Sequence, residues 1–301
     1  MSRPTTTVTR NILLISSLAL CQLAYAQSRT FEVADGQPVA KAVEIIEGIY
    51  GLPITYEDTT VVNESQLEDV TEQVQRTPDP SHRIMGIKPR TISFTCKLPP
   101  AAPPSGGSSQ TGAEAEAEVA NALSSVLDGY AASGGPETFT VTKEEGIFHV
   151  VAINFLNKEG KLQQLTPILD TKITILPRQR TRLGLFQEIC QSLTKATGIS
   201  VGEMDFPFNG GSLQAQTKTT ISGSDVTARS LLSMLLAEMA APVSRDVVVQ
   251  GPNGQRLTRN IADKGSPLSW KLFYSPGWGY TLHIRRLTAA GRCGQVSASQ
   301  L

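Results

Sequence analysis

The sequence predicts an α+β protein made of two tandem two-layer modules, each built from two strand–helix–strand units and closed by a β-hairpin. Short runs in which apolar and polar residues alternate predict the strands, and apolar residues at helical spacing between these runs predict the helices. The layout also repeats, because Asp58 follows Gly51 at the same distance as Asp205 follows Gly198. One unit has a single apolar helix face and a half-buried sheet face, so it needs a second unit to cover both.

The first module is expected over residues 27–165. Pro38 suits the first turn of its first helix, and Gly51 suits the left-handed position that ends this helix. The strands are expected around Phe31 and Val33, at 52–58, at 90–96, and in a closing hairpin about 143–146. The apolar stripes of the two helices are Val39, Ala42, Val43, Ile46 and Ile49, and Val119, Leu123, Val126, Leu127 and Tyr130.

The second module is expected over residues 166–288. Gly198 should end its first helix, and Ser224 or Asp225 is the expected N-cap of its second helix. A closing hairpin is expected about 275–279, and an inserted hairpin near 245–260. The helix stripes are Leu183, Phe186, Ile189, Cys190 and Leu193, and Leu231, Leu232, Leu235 and Leu236.

Residues 1–26 have the features of an export signal, with two arginines before an apolar stretch and a small-x-small ending that predicts cleavage after Ala26. The apolar stretch is shorter than the roughly 20 residues that a spanning helix needs. The mature chain is therefore expected to be periplasmic or secreted, without a stable membrane span. A Pro/Gly/Ser-rich surface loop is expected at 97–113, and a disordered tail at 289–301.

The composition and motifs argue against several classes of function. The 27 Lys and Arg residues balance the 27 Asp and Glu residues, so a nucleic-acid partner is not expected. The sequence has neither a Gly-x-Ser-x-Gly elbow nor a phosphate-loop ending, and we expect neither an enzyme nor a cofactor. His149 and His283 fall at matching places in the predicted closing hairpins, which favours a structural role, and no zinc spacing is present, so no metal is expected.

Three cysteines remain after cleavage, namely Cys96, Cys190 and Cys293. In an oxidising compartment they allow at most one internal disulfide bridge. Cys190 lies on an apolar helix stripe and is expected to be buried and reduced. A bridge between Cys96 and Cys293 stays open as an alternative.

One candidate interaction surface is aromatic. Tyr274, Trp278 and Tyr280 surround a predicted hairpin turn and belong to the residue types that dominate interface hot spots. The same aromatics could stack on a sugar. Alternatively, Trp278 folds back over the core of its module.

A second candidate surface is basic. Arg178, Arg180 and Arg182 crowd a predicted helix start, where the helix dipole disfavours cations. They could meet an acidic partner surface or anionic headgroups. The alternative is a solvated face that pairs with local acidic residues.

Residues 31–58 carry the pattern of an aromatic-led strand, a Gln-Pro helix start and a Gly-hydrophobic-x-hydrophobic-x-Tyr ending. The matching residues are Phe31, Val33, Gln37, Pro38, Ala42, Gly51, Ile54 and Tyr56. This pattern resembles the secretin and TonB short N-terminal domain family, and the second module resembles a divergent second copy. The resemblance implies a periplasmic docking module without catalytic residues. Family members usually carry this domain ahead of an outer-membrane pore or receptor barrel, which is not expected here.

We therefore expect a non-enzymatic exported envelope protein that acts as a protein–protein docking or signalling module. The resemblance implies an envelope partner, such as a secretin, a TonB-type receptor or a regulatory component. The alternative is a periplasmic protein that binds a small molecule or a polysaccharide in a cleft between the modules.

Overall fold

The computed structural model describes residues 27–59, 64–74, 83–99, 112–157, 159–204, 212–250, 255–263, 265–275 and 277–287. The expected export signal, most of the expected loop at 97–113, Asp205, Cys293 and the expected tail lie outside these ranges. Within the described part the protein is α+β, which confirms the predicted fold class.

The helices are α1 (Pro38–Tyr50), α2 (Thr71–Val74), α3 (Gly112–Ala132), α4 (Arg182–Thr197), α5 (Leu213–Gln216) and α6 (Ala228–Ala240). The strands up to residue 164 are β1 (Ser28–Asp35), β2 (Ile54–Glu57), β3 (Leu67–Asp69), β4 (Met85–Ile87), β5 (Arg90–Lys97), β6 (Glu137–Glu144), β7 (Ile147–Leu156) and β8 (Leu162–Gln164). The later strands are β9 (Lys172–Ile175), β10 (Arg180–Thr181), β11 (Val201–Met204), β12 (Lys218–Thr219), β13 (Gly223–Thr227), β14 (Val243–Gln250), β15 (Arg256–Asp263), β16 (Leu268–Ser275) and β17 (Gly279–Arg286). Single 3₁₀ turns occur at Glu64–Gln66 and Ile168–Asp170.

The helix ends follow local chemistry. Helix α1 begins at Pro38 and is ended by Gly51, whose φ of 67° lies in the left-handed region, and Gly198 ends α4 in the same way with a φ of 73°. Helix α6 is capped by Thr227, whose side chain accepts the N–H of Ser230. The expectation that Ser224 or Asp225 caps this helix is wrong, because both residues lie in β13, which continues to Thr227.

The two halves of the chain, residues 27–165 and 166–287, have the same order of principal elements and the same strand pairing. In the first half β1 pairs with β5, and β2 runs parallel to β7, which pairs with β6. In the second half β9 pairs with β13, and β11 runs parallel to β17, which pairs with β16. In each half, therefore, the first strand pairs with the strand that precedes the second long helix. The closing hairpin pairs with the strand that follows the first long helix.

One hydrogen bond also recurs in both halves. The N–H of Ile54, at the start of β2, donates to Glu47 Oε1 of α1 at 2.9 Å. The N–H of Val201, at the start of β11, donates to Thr194 Oγ1 of α4 at 3.0 Å. Glu47 and Thr194 hold the same position relative to the glycine that ends each helix, so Ile54 and Val201 are equivalent positions.

Each half has its own buried apolar core. The first core lies between α1, α3 and the strands of the first half, and Ile46, Phe94 and Leu123 are at its centre. The second core lies between α4, α6 and the strands of the second half, and Leu185 and Leu232 are at its centre. The burial of these helix stripes against sheet faces explains why each half needs both of its long helices.

A single central sheet joins the halves, with the strand order β11-β17-β16-β2-β7-β6. At the junction β2 and β16 are parallel, with Tyr56 opposite Lys271 and Glu57 opposite Leu272. Residues that are directly opposite point to the same face of a sheet. Tyr56 belongs to the first core and Leu272 to the second, so the helices of the two halves cover opposite faces of the joined sheet.

Besides the pairs already named, the described residues form three two-stranded pairs outside the central sheet, and one of them joins β10 to β12. The antiparallel pair β14–β15 occupies the segment for which an inserted hairpin was expected, and β3 pairs with β4 between the two units of the first half. Among the described residues, none of the helices combines the length and the apolar character that crossing a membrane requires.

Candidate functional site

A buried charge cluster crosses the junction on the face that α6 covers. Arg229 donates from Nη2 to Glu57 Oε2 at 2.5 Å and from Nε to Asp170 Oδ1 at 3.0 Å. Glu57 also accepts the N–H of Leu169 at 3.0 Å. Burial raises the pKa of Glu57, although Arg229 and the Leu169 N–H oppose this. The ion pair therefore carries a substantial desolvation cost and ties β2 of the first half to α6 of the second.

A second ion pair crosses the junction on the opposite face. Lys271, which is fully buried, donates from Nζ to Glu47 Oε2 at 2.8 Å and also to the carbonyl oxygen of Ile54. Burial lowers the pKa of Lys271, and the Glu47 carboxylate opposes this. Because Glu47 belongs to α1 and Lys271 to β16, the two halves are tied together on both faces of the sheet.

His149 lies inside the junction and has no access to solvent. Its Nδ1 lies 2.6 Å from Thr55 Oγ1, and its ring centroid lies 6.0 Å from that of Trp270. Burial, with a smaller contribution from Arg229, lowers the pKa of His149 to about 4. The imidazole is therefore neutral at physiological pH and packs as part of the junction.

A polar network surrounds Asp58 at the C-terminal end of β2. Its Oδ2 accepts Gln37 Nε2 at 2.5 Å and the N–H of Tyr274 at 3.2 Å, and its Oδ1 accepts the Tyr56 hydroxyl at 3.2 Å. The hydroxyl of Tyr280 donates to the main-chain oxygen of Asp58 at 3.2 Å. Burial raises the pKa of Asp58 to about 7, against the hydrogen bonds that favour the carboxylate.

A cavity of about 360 Å³ opens beside this network, and its lining comes entirely from the first half. Its polar groups include the carboxyls of Asp58 and Glu137, and Tyr130 donates its hydroxyl to Glu137. Burial raises the pKa of Glu137, and the hydrogen bond from Tyr130 and, to a smaller extent, the charge of Arg90 oppose this. The guanidinium of Arg90 lies over the Tyr130 ring, 5.9 Å from its centroid. The cavity thus combines two weakly acidic carboxyls, a cation and aromatic faces.

The hairpin of β16 and β17 turns at the same end of the sheet, because β16 runs parallel to β2. Trp278, at its tip, has 83 % of its surface exposed. Gly277 and Gly279 have φ values of 84° and 90°, in the region that favours glycine. A Cβ on Gly279 would lie only 2.4 Å from the Ser200 carbonyl oxygen, so the tip is held close to the chain that enters β11.

The other aromatic candidates face inward. Tyr280 is buried in the second core, and its ring centroid lies 5.2 Å from that of Tyr274, which is partly buried. Of the three aromatic residues expected at this surface, Trp278 alone is largely exposed to solvent. The alternative that Trp278 folds back over the core does not fit its exposure.

The three arginines around the start of α4 do not form a common surface. Arg178 is exposed and pairs with Glu188 at 2.9 Å. Arg180 is buried and pairs with the same carboxylate at 2.5 Å, whereas Arg182 is buried beside Gln214 and Glu238. Local acidic and amide groups therefore engage all three cations, and Arg180 and Arg182 are inaccessible to a partner or to anionic headgroups in this structure.

Cys96 and Cys190 are free thiols and both are buried. Burial raises the pKa of Cys96 to about 11 and that of Cys190 to about 12. Among the described residues there is no cluster of three or more His, Cys, Asp or Glu side chains that could hold a metal ion.

Comparison of the chain with protein-family models, with curated proteins and with solved structures gives no match. The assignment of function therefore depends on the geometry of the molecule itself.

Sequence reasoning missed the junction residues Glu47, Glu57, Arg229 and Lys271. A signal was present, because Glu47 continues the apolar stripe of α1 and Lys271 interrupts the apolar run of β16. Charges at such positions need buried partners. The sequence gives no indication of which residues these partners are.

Proposed function

We propose that the protein is a non-enzymatic, exported envelope protein that docks onto another envelope protein through the tip of its β16–β17 hairpin. The observation that carries this proposal is the exposure of Trp278 on a turn whose strands belong to the central sheet. Tryptophan is among the residue types most often found at interface hot spots. A rigidly supported tryptophan also loses little conformational entropy when a partner covers it.

The proposal includes the tandem organisation expected from the sequence. The shared element order, the shared strand pairing and the matching bonds from Ile54 and Val201 support a duplicated module over residues 27–165 and 166–288. The relationship to the secretin and TonB short N-terminal domain is part of the same proposal and depends on the residues 31–58 that resemble that family. Export rests on the signal-like residues 1–26.

Crosslinking from the hairpin tip tests the docking proposal directly. A photoreactive phenylalanine analogue at position 278, in the exported protein in its own host, should give one discrete adduct that mass spectrometry can identify. The same analogue at position 176 is a matched control, because Leu176 is another exposed apolar residue, 66 % exposed, away from the hairpin. An affinity column that carries the Trp278→Ala variant should also fail to retain the partner protein that crosslinking identifies. Identical adducts from both positions, or none from position 278, would contradict the proposal.

A specific observation also favours a second candidate function, the binding of a small polar ligand. The cavity beside Asp58 is large enough for a small molecule and offers carboxyl, guanidinium and aromatic groups together. All residues that line this cavity belong to the first half. It is therefore not the cleft between the modules that the sequence suggested, and at the junction β2 and β16 pair directly. A thermal-shift screen with amines, sugars and carboxylates should then give stabilisation that Glu137→Gln removes and Trp278→Ala preserves. A shift that Glu137→Gln leaves unchanged would contradict binding at this cavity.

A further inference from the structure

The junction between the two halves is an asymmetric contact. The first half contributes the edge strand β2, and the second half contributes β16, which is the counterpart of β6 rather than of β2. A head-to-tail contact of this kind leaves one edge of each type unused. In the described part of the chain the unused edges are β11, the counterpart of β2, and β6, the counterpart of β16.

The equivalent residues at these edges follow from the strand registers. Ile54 lies opposite Phe148 and Val201 opposite Tyr280, so Phe148 and Tyr280 correspond. Two residues farther along, Val150 lies opposite Val141, and Leu282 lies opposite Leu272. Thr140 and Val141 of β6 therefore correspond to Lys271 and Leu272 of β16, and Glu203 and Met204 of β11 correspond to Tyr56 and Glu57 of β2.

The backbone of β6 is oriented for the same contact. At the internal junction the carbonyl oxygen of Leu272 accepts the N–H of Asp58 at 2.9 Å, so this residue presents its backbone groups to β2. Phe148 donates its N–H to the carbonyl oxygen of Pro53, so Phe148 and Val150 direct their backbone groups towards β2. Val141 lies opposite Val150 and therefore presents its backbone groups away from β7. A register shift at Thr138/Phe139 and the charges of Lys143 and Glu144 flank this stretch. Bulges and charged side chains usually limit pairing at a sheet edge. In β6 they leave only the short stretch between Phe139 and Lys143 suited to pairing with another strand.

One of the two buried ion pairs of the junction has no charged counterpart at the unused edges. The buried pair of Lys271 and Glu47 is replaced at the equivalent positions by Thr140 and Thr194. Both equivalent residues are uncharged, so pairing of β11 with β6 would not bury an unpaired ion at either of these two positions. The copy–copy contact also lacks the attraction of the internal pair, so it should be weaker and reversible.

We propose that the protein associates head to tail with further copies of itself, with β11 of one copy pairing in parallel with β6 of the next. In this register Glu203 lies opposite Thr140, and Met204 lies opposite Val141. Each copy keeps one edge free, so association continues beyond a dimer. This inference goes beyond the proposed docking function and uses a different surface from Trp278.

Sedimentation velocity of the mature chain from Gln27, over a range of protein concentrations in reducing buffer, tests the proposal. The weight-average mass should rise past that of a dimer as concentration increases. Thr140→Glu places a carboxylate opposite Glu203 and should weaken association at least about 3-fold, because like charges directly opposite repel. Adding Glu203→Lys to the same chain should restore it. Lys161→Glu, an exposed charge change away from both edges, should leave the mass unchanged.

A second variant tests the backbone contact. Val141→Pro removes an N–H that points away from β7, so it should abolish association while the far-UV spectrum and the urea midpoint stay close to the parent values. If this variant does not fold, the Thr140→Glu and Glu203→Lys pair still decides the question. A chain that stays monomeric at all concentrations, or Thr140→Glu association equal to that of the parent, would overturn the proposal. Trp278→Ala should associate normally, so failure here is distinguishable from failure of the docking function.

Discussion

Replacement of Arg229 by methionine should be strongly destabilising. The Glu57 side chain is only 1 % exposed, and in the variant it keeps the Leu169 N–H but loses its cation. Breaking a buried ion pair by removing one partner typically costs about 3–5 kcal/mol. The contact with Asp170, whose side chain is 47 % exposed, should add at most about 1 kcal/mol. Urea denaturation followed by far-UV circular dichroism at pH 7 would measure the loss.

A double-mutant cycle separates the ion pair from general packing effects. Glu57→Gln together with Arg229→Met leaves no buried charge and keeps an acceptor for Leu169, so it should cost only about 1–2 kcal/mol. Glu57→Gln alone leaves Arg229 paired with Asp170 only and should cost about 1–2 kcal/mol, so the coupling energy, which is the sum of the two single costs minus the double cost, would be about 3–5 kcal/mol. Arg178→Met is the control, because that side chain is 65 % exposed and its loss should cost less than about 0.5 kcal/mol. Additive costs, or an Arg229→Met loss below about 1 kcal/mol, would refute this reasoning.

The pH dependence of the same variant gives an independent check. In Arg229→Met the pKa of Glu57 in the folded state should rise further, because burial acts without the opposing cation. A raised pKa of Glu57 in the folded state does not lower the free energy of unfolding at a pH below the unfolded pKa of about 4.3. Above that pH it lowers the free energy of unfolding increasingly as the pH rises. The destabilisation measured at pH 7 should therefore shrink as the pH falls towards about 4. A loss of stability that is independent of pH would contradict this account.

Three further predictions concern other parts of the molecule. The pKa of Asp58 is about 7 in the folded state and about 3.9 in the unfolded state, so the free energy of unfolding should fall by up to about 4 kcal/mol as the pH rises from about 4 to about 7. Urea titrations should show this fall in the unmodified protein and not in Asp58→Asn. Gly129→Ala should destabilise by about 1–3 kcal/mol in the same assay, because its Cβ would lie 2.3 Å from a carbonyl oxygen of β5; Gly48→Ala, with open space around it, should be neutral or stabilising. Cys96 and Cys190 should resist alkylation at pH 8 in the folded protein and react in urea, as peptide mass spectrometry would show, and rapid alkylation of either in the folded protein would contradict their burial.

The local features of the fold were predictable because they depend on neighbours in the sequence. Pro38 and Gly51 fix the ends of α1 through backbone geometry alone, and the apolar stripe of α1 needs only its own periodicity. The error at the N-cap of α6 has the same local origin, because Ser224, Asp225 and Thr227 lie within four residues and each could cap a helix. Strand pairing with β9 decides among them, since Val226 and Thr227 pair with Ile173 and Lys172 and the helix can begin only after them.

The joined sheet was not predictable in the same way. Every residue of β16 from Leu268 to Lys271 is buried, and both faces of this strand are covered, one by each half. A strand buried on both faces loses the alternation that reveals which face meets which core. Tyr280 was misjudged for a related reason, since its hydroxyl reaches the main chain of Asp58 in the other half, and a polar aromatic near a turn gives no sign of such a distant acceptor.

The two buried ion pairs also set the order in which the newly made chain completes its structure. Glu57 and Arg229 are 172 positions apart, and Glu47 and Lys271 are 224 positions apart. When the first half has left the ribosome, the cations that neutralise both glutamates have not yet been synthesised. Until β16 adds to β2, neither glutamate can be buried with its charge satisfied, and contacts this distant in sequence form slowly. The nascent first half should therefore stay loosely packed and open to chaperones and proteases until almost the last residues of the second half are available.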